Sequence, residues 1–163
     1  MESDLFNNLI FFEAFLVLFN VPAVLMGLRF KGNSASQRLW FEPAGYLIPI
    51  VWIILFGLLA YLHTHLQQAS LVNIYGLNFA LALICAGYPY YTLGLEKLTG
   101  ISAVKLGIGG NCLIILLAIV LGNQLATLEE SLSYLTLPIV IWTLYTSLVL
   151  IGRLRLEKEI VEA

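Results

Sequence analysis

Charge is what this chain has little of. Asp, Glu, Lys and Arg make up 11% of its 163 residues, against about 25% in an ordinary soluble domain. So few charges cannot cover a surface that faces mostly water. With a net charge of −2 there is no basic stripe to neutralise phosphates, which argues against a nucleic-acid partner. Cysteine is scarce too. Cys85 and Cys112 both fall inside apolar runs, where they read as small hydrophobes and not as a disulfide framework or a metal site. The sequence has no nucleophile elbow, no phosphate loop and no histidine at useful spacing from a carboxylate, so it is not expected to be an enzyme. Low-complexity tracts and clear internal repeats are missing as well. The start, Met1-Glu2-Ser3-Asp4, is acidic where a secretory leader would be basic, so the first apolar stretch is expected to remain as a helix.

What the chain has is hydrophobicity: 60% of its residues are apolar. A bilayer core about 30 Å thick is crossed by about 20 apolar residues in a helix. Five stretches qualify, at approximately 5–28, 45–62, 71–95, 104–121 and 134–151. The segments between them are too short to fold alone. The expectation is one integral membrane domain over 1–163, an all-α bundle of five transmembrane helices whose first partner is the lipid bilayer. Every Lys and Arg falls on one face: Arg29, Lys31 and Arg38 between spans one and two, Lys97 and Lys105 between or at the ends of spans three and four, and Arg153, Arg155 and Lys158 after span five. Basic residues stay on the cytoplasmic side, which predicts N-terminus out and C-terminus on the cytoplasmic-equivalent face.

The five prolines, Pro22, Pro43, Pro49, Pro89 and Pro138, lie in or at the mouths of helices. Each interior proline frees a carbonyl and can kink its helix, so a bundle bulging around a cavity is one expectation. The other is that prolines are simply commoner in membrane helices. Trp52 and Trp142 lie deep in their spans, below the interfacial belt where Trp and Tyr usually sit. A buried indole must place its N–H, and stacked rings in a cavity would suit a flat apolar ligand. Plain core packing is the competing account. Glu13, with Asn20 two turns on along the same face, is the one acidic residue clearly inside a span and a functional candidate for that reason. Asn78 and Asn111 read as interhelical hydrogen-bonding groups. His63 and His65 point apart and lack a thiol or acidic partner, which speaks against a metal or axial haem site. Gly107, Gly109 and Gly110 open helix four, and Gly76 with Ala80 makes a small-xxx-small step that could form a homodimer seam.

The run from Trp40 to Phe56, WFEPAGYLIPIVWIILF, resembles the second-helix signature of the TspO/MBR family, the translocator or tryptophan-rich sensory proteins. Pro43, Gly45, Val51, Trp52 and Leu55 match it, while Tyr46 and Phe56 replace other aromatics. Leu137-Pro138 followed by Trp142 and Tyr145 resembles the family's fifth helix, and Pro89-Tyr90-Tyr91 the end of its third. The chain departs from the pattern at Ala80, Ile84 and Gly87, where the family has polar groups and a Trp. It departs again at Val149-Leu150-Ile151, where the family has Leu-Asn-Tyr and a cholesterol-recognition pattern. The resemblance is to a divergent member whose pocket is more apolar on two walls.

That resemblance implies a five-helix bundle, often dimeric, with a pocket under the loop joining helices one and two. It implies ligand-binding roles for Trp52, Trp142, Tyr46, Pro43, Tyr145 and Trp40, and no obligatory cofactor, with porphyrin or haem as a candidate occupant. The function expected is a membrane receptor or carrier for a flat apolar molecule: a tetrapyrrole (porphyrin, haem or bilin) or a sterol-like compound, in sensing or transport. The alternatives are a small structural or assembly subunit of a larger membrane complex and, less favoured, an enzyme acting on a lipid or tetrapyrrole through tryptophan radical chemistry.

Overall fold

A computed structural model describes residues 2–28, 39–68 and 71–162. Among them every regular element is helical: α1 (Glu2–Leu25), α2 (Leu47–Gln68), α3 (Val72–Ala86), a π-helical turn (Tyr90–Gly94), α4 (Leu95–Thr99), α5 (Ala103–Ala126), α6 (Glu130–Ser133), a 3-10 turn (Tyr134–Thr136) and α7 (Leu137–Glu162). Four helical runs are long and apolar enough to cross a membrane: Ser3–Leu25, Leu47–Gln68, Ala103–Ala126 and Glu130–Leu156. Leucines and isoleucines on their outer faces, among them Leu18, Leu116, Ile141 and Leu148, stand exposed, which would be costly in water and is neutral against lipid tails. The chain is an all-helical, multi-pass integral membrane protein.

The third expected span is divided. α3 covers 15 residues and qualifies only as a shorter apolar helix. Pro89 has no N–H to give the preceding turn, and the chain answers with the π-helical turn before α4 resumes. A proline beside a π-bulge is a recognised way for a helix to absorb a missing hydrogen bond. The other prolines disturb less than the sequence suggests. Pro49 lies in the first turn of α2, and Pro138 is the second residue of α7. At Pro49 the N–H has no intrahelical partner to lose, whereas Pro138 follows the 3-10 turn inside the continuous helical run Glu130–Leu156 and removes a donor from it. Pro43 precedes α2, and Pro22 sits in the last turn of α1.

The helix ends have local causes. Gly27, at φ +71°, closes α1. The Leu28 and Gly27 N–H groups reach back to the carbonyls of Ala23 and Val24, a Schellman arrangement that needs the left-handed glycine. Lys97 donates to the Met26 and Gly27 carbonyls at 3.3 and 3.5 Å, placing a cation at the negative helix end. Gly100, at φ +72°, ends α4 in the same left-handed conformation. Ser102 then caps α5, and the Glu96 carboxylate accepts from Ala103 N–H at 2.9 Å. α2 runs on to Gln68, so His63 and His65 lie in a helix and not in the connecting segment.

α1 packs on α2, both touch α3, α3 packs on α5, and α5 packs closely on α7. Among the described residues no comparable seam joins α2 to α7. The core runs through Phe12, Phe56, Leu59, Leu81, Ile114 and Leu121. Asn78 is fully buried and donates to the Leu59 carbonyl at 3.0 Å, and Asn111 reaches from α5 to Thr146 and Ser147 of α7 at 3.2 and 3.0 Å. Both are the interhelical bonds their sequence positions suggest.

Candidate functional site

The segment before α2 is strapped onto the far end of α7. Tyr145 donates its hydroxyl to the Phe41 carbonyl at 2.6 Å. About two turns further on, Arg153 forms an ion pair with Glu42, both groups largely buried. Gly152 lies between these contacts. A Cβ there would come within 2.8 Å of Leu39 Cδ1 and 3.3 Å of Phe41 Cζ, so a larger residue would push these two side chains aside. A hydroxyl bond, an ion pair and a glycine notch thus fix residues 39–42 over α7. Arg29, Lys31 and Arg38, the remainder of the basic loop, lie outside the described residues.

The six expected ligand residues fall into two sets. Trp142 and Tyr145 form a ring pair with centroids 5.5 Å apart on α7, directly under the strap that carries Pro43. Trp52 meets Phe56 edge-on at 6.2 Å. Trp52 and Trp142 are both partly buried and pack against the same core cluster, each on one of the two helices that share no seam. The Trp142 indole Nε1 is buried and has no hydrogen-bond partner among the described residues. Trp40 and Tyr46 stand apart, 93% and 69% exposed. Trp40 rests edge-on against Phe41 at 5.4 Å, so it covers the strap from outside.

A second feature joins residues that the sequence leaves separate. Tyr88 and Tyr91, on either side of Pro89, project into the Gly107 and Gly110 positions of α5. A Cβ on Gly107 would lie 2.6 Å from the Tyr88 hydroxyl, and one on Gly110 2.4 Å from Tyr91 Cε2. The Tyr91 hydroxyl is buried without a partner among the described residues. Both glycines are visible in the sequence as close-packing positions, but nothing there says that tyrosines fill them. Glu42, Gly152 and Arg153 were likewise not singled out as partners. Their one signal is opposite charge on segments predicted to share a face.

The remaining candidates separate from this site. Glu13 is half-buried on α1, and Asn20 turns its amide back to the Leu16 carbonyl at 2.9 Å. His63 is buried between Phe12 and Tyr75, with ring centroids 5.0 and 4.2 Å away. Gly76 is exposed, with nothing within 4 Å of an added Cβ, and Ala80 is half-buried. Cys85 and Cys112 are both free thiols.

No known protein family, curated protein or solved structure matches the chain.

Proposed function

We propose that this protein is a five-span membrane receptor or carrier that holds a flat apolar ligand, a tetrapyrrole before a sterol-like molecule, and that it is a divergent relative of the TspO/MBR proteins. The observation that carries this is the Trp142 indole. It lies within a span, its N–H is buried with no partner among the described residues, and α7 and α2, the helices that carry Trp142 and Trp52, share no seam like that between α5 and α7. An unpaired buried donor in an apolar interior costs about 1–3 kcal/mol. A ligand with an acceptor on an otherwise flat face would remove that cost. Trp52, on α2, supplies a second stacking surface. The strap held by Tyr145 and Arg153 forms the floor or lid at one end.

The fifth crossing is made by α3, the π-helical turn and α4 together. From Val72 to Thr99 this run spans about 40 Å at 1.5 Å per residue, more than a bilayer core requires. The basic residues then place the N-terminus outside and the C-terminus on the cytoplasmic-equivalent face.

The direct test is titration of the purified protein in detergent with protoporphyrin IX. The expected result is a shifted Soret band with quenching of tryptophan fluorescence. If there is no shift, and a fixed set of partner proteins co-purifies, the chain is instead an assembly subunit.

A further inference from the structure

At the end of the bundle away from the strap lies a groove of about 340 Å³, within the size range of small-ligand sites. Its walls are apolar: Leu66, Leu71, Leu128 and Leu132. Its polar lining is confined to His65, Gln68 and Glu129. Gln68 is the last residue of one membrane-crossing helix, and Glu130 the first of another. The groove therefore lies where hydrocarbon gives way to headgroups, with Leu66 and Leu132 inside the crossing helices and Leu71 and Leu128 beside their ends.

The three polar groups differ in what they offer. Among the described residues, the Glu129 carboxylate accepts only from the Ser131 hydroxyl and meets no cation. Its neighbour Glu130 accepts from the Tyr134 hydroxyl at 2.7 Å and does not line the groove. His65 rests its ring against Tyr61 in a tilted contact, centroids 4.5 Å apart. Neither His65 nor Gln68 makes a hydrogen bond among the described residues, and both can donate N–H.

We infer that this groove is a binding site for one phospholipid with a primary ammonium headgroup. Glu129 accepts from the ammonium, His65 and Gln68 donate to the phosphate, and the leucines hold the upper acyl chain. A carboxylate and two N–H donors match a zwitterion at both of its charges. An anionic headgroup would meet Glu129 and the neighbouring Glu130 with like charge. A quaternary ammonium has no N–H to give a carboxylate and is recognised by aromatic cages, whereas this groove is lined by leucine.

Native mass spectrometry of the full-length protein, delipidated in detergent and offered equal amounts of dioleoyl-phosphatidylethanolamine, -choline and -glycerol, tests this. The parent should retain the ethanolamine lipid over the other two by roughly tenfold, the equivalent of about 1.4 kcal/mol. Glu129→Gln should abolish the preference, and Glu130→Gln should keep it. Glycerophosphoethanolamine, which has the headgroup without the chains, should not displace the lipid at equal concentration. Equal retention of all three lipids by the parent overturns the inference. So does a preference that survives Glu129→Gln, or one lost equally in Glu130→Gln, which would reflect net charge alone. Displacement by the chainless headgroup would show that the leucine walls hold nothing.

Discussion

The hydroxyl of Tyr145 donates a 2.6 Å hydrogen bond to the backbone carbonyl of Phe41, across 104 residues of sequence. This bond and the Arg153–Glu42 ion pair fasten the segment before α2 to α7. Tyr145 also meets Trp142 in a tilted ring pair, so a change at the strap reaches that tryptophan through one ring.

Tyr145→Phe removes the bond and keeps the ring. Losing one hydrogen bond of about 1 kcal/mol should speed hydrogen exchange of the Glu42 amide, which bonds the Leu39 carbonyl at 3.0 Å, by roughly fivefold. Exchange unchanged in this variant would mean that the ion pair and the Gly152 notch hold the strap by themselves.

The tyrosine–glycine seam should be intolerant of even one methyl group. In Gly110→Ala the new Cβ would fall 2.4 Å from the Tyr91 ring. Overpacking of this kind costs about 1–3 kcal/mol and should lower the melting temperature in detergent. Adding Tyr91→Ala should make the two changes strongly non-additive, because they share one contact. Simple additivity would place Tyr91 elsewhere.

Much of this architecture was legible in the sequence. Long apolar runs and a shortage of charge have few solutions other than membrane-crossing helices, and the first, second and fourth expected runs are single helices, while the fifth joins a 3-10 turn to α7. The third was not legible as it stands, because Pro89 could equally have kinked or ended its helix and the π-helical turn leaves no sequence mark. Proline identity also misled at Pro49, where position within the first turn of α2 decides whether a hydrogen bond is lost. The Asn78 and Asn111 bonds were foreseeable, since an amide inside a span must find a partner. The Tyr145–Phe41 and Arg153–Glu42 contacts were not, because they join distant segments through one backbone atom and one short ion pair.

The number of crossings decides where the C-terminus lies. Reporter fusions at Gln67 and after Ala163 should report opposite sides of the membrane. Reports from the same side would mean that the divided run from Val72 to Thr99 does not cross, leaving four spans.

Gly76 has open space around it, as a helix–helix seam with a second copy would require. If this step is a homodimer seam, replacing Gly76 and Ala80 with Leu should lower the mass measured by size-exclusion chromatography with light scattering from two copies to one. An unchanged mass would mean that this face meets lipid.

The claim that Trp52 and Trp142 hold a flat ligand is tested most directly by porphyrin affinity in their variants. Base–aromatic stacking is worth about 1–3 kcal/mol per ring, and a tetrapyrrole face should gain a comparable amount. Trp52→Ala and Trp142→Ala should each weaken protoporphyrin IX binding by roughly one to two orders of magnitude. Trp40→Ala, whose ring lies outside the strap, should weaken it less. Measured by Soret titration on folded, monodisperse samples, that ordering is the predicted result. Parent-like affinity in both deep-tryptophan variants, or no binding by the parent, would contradict it.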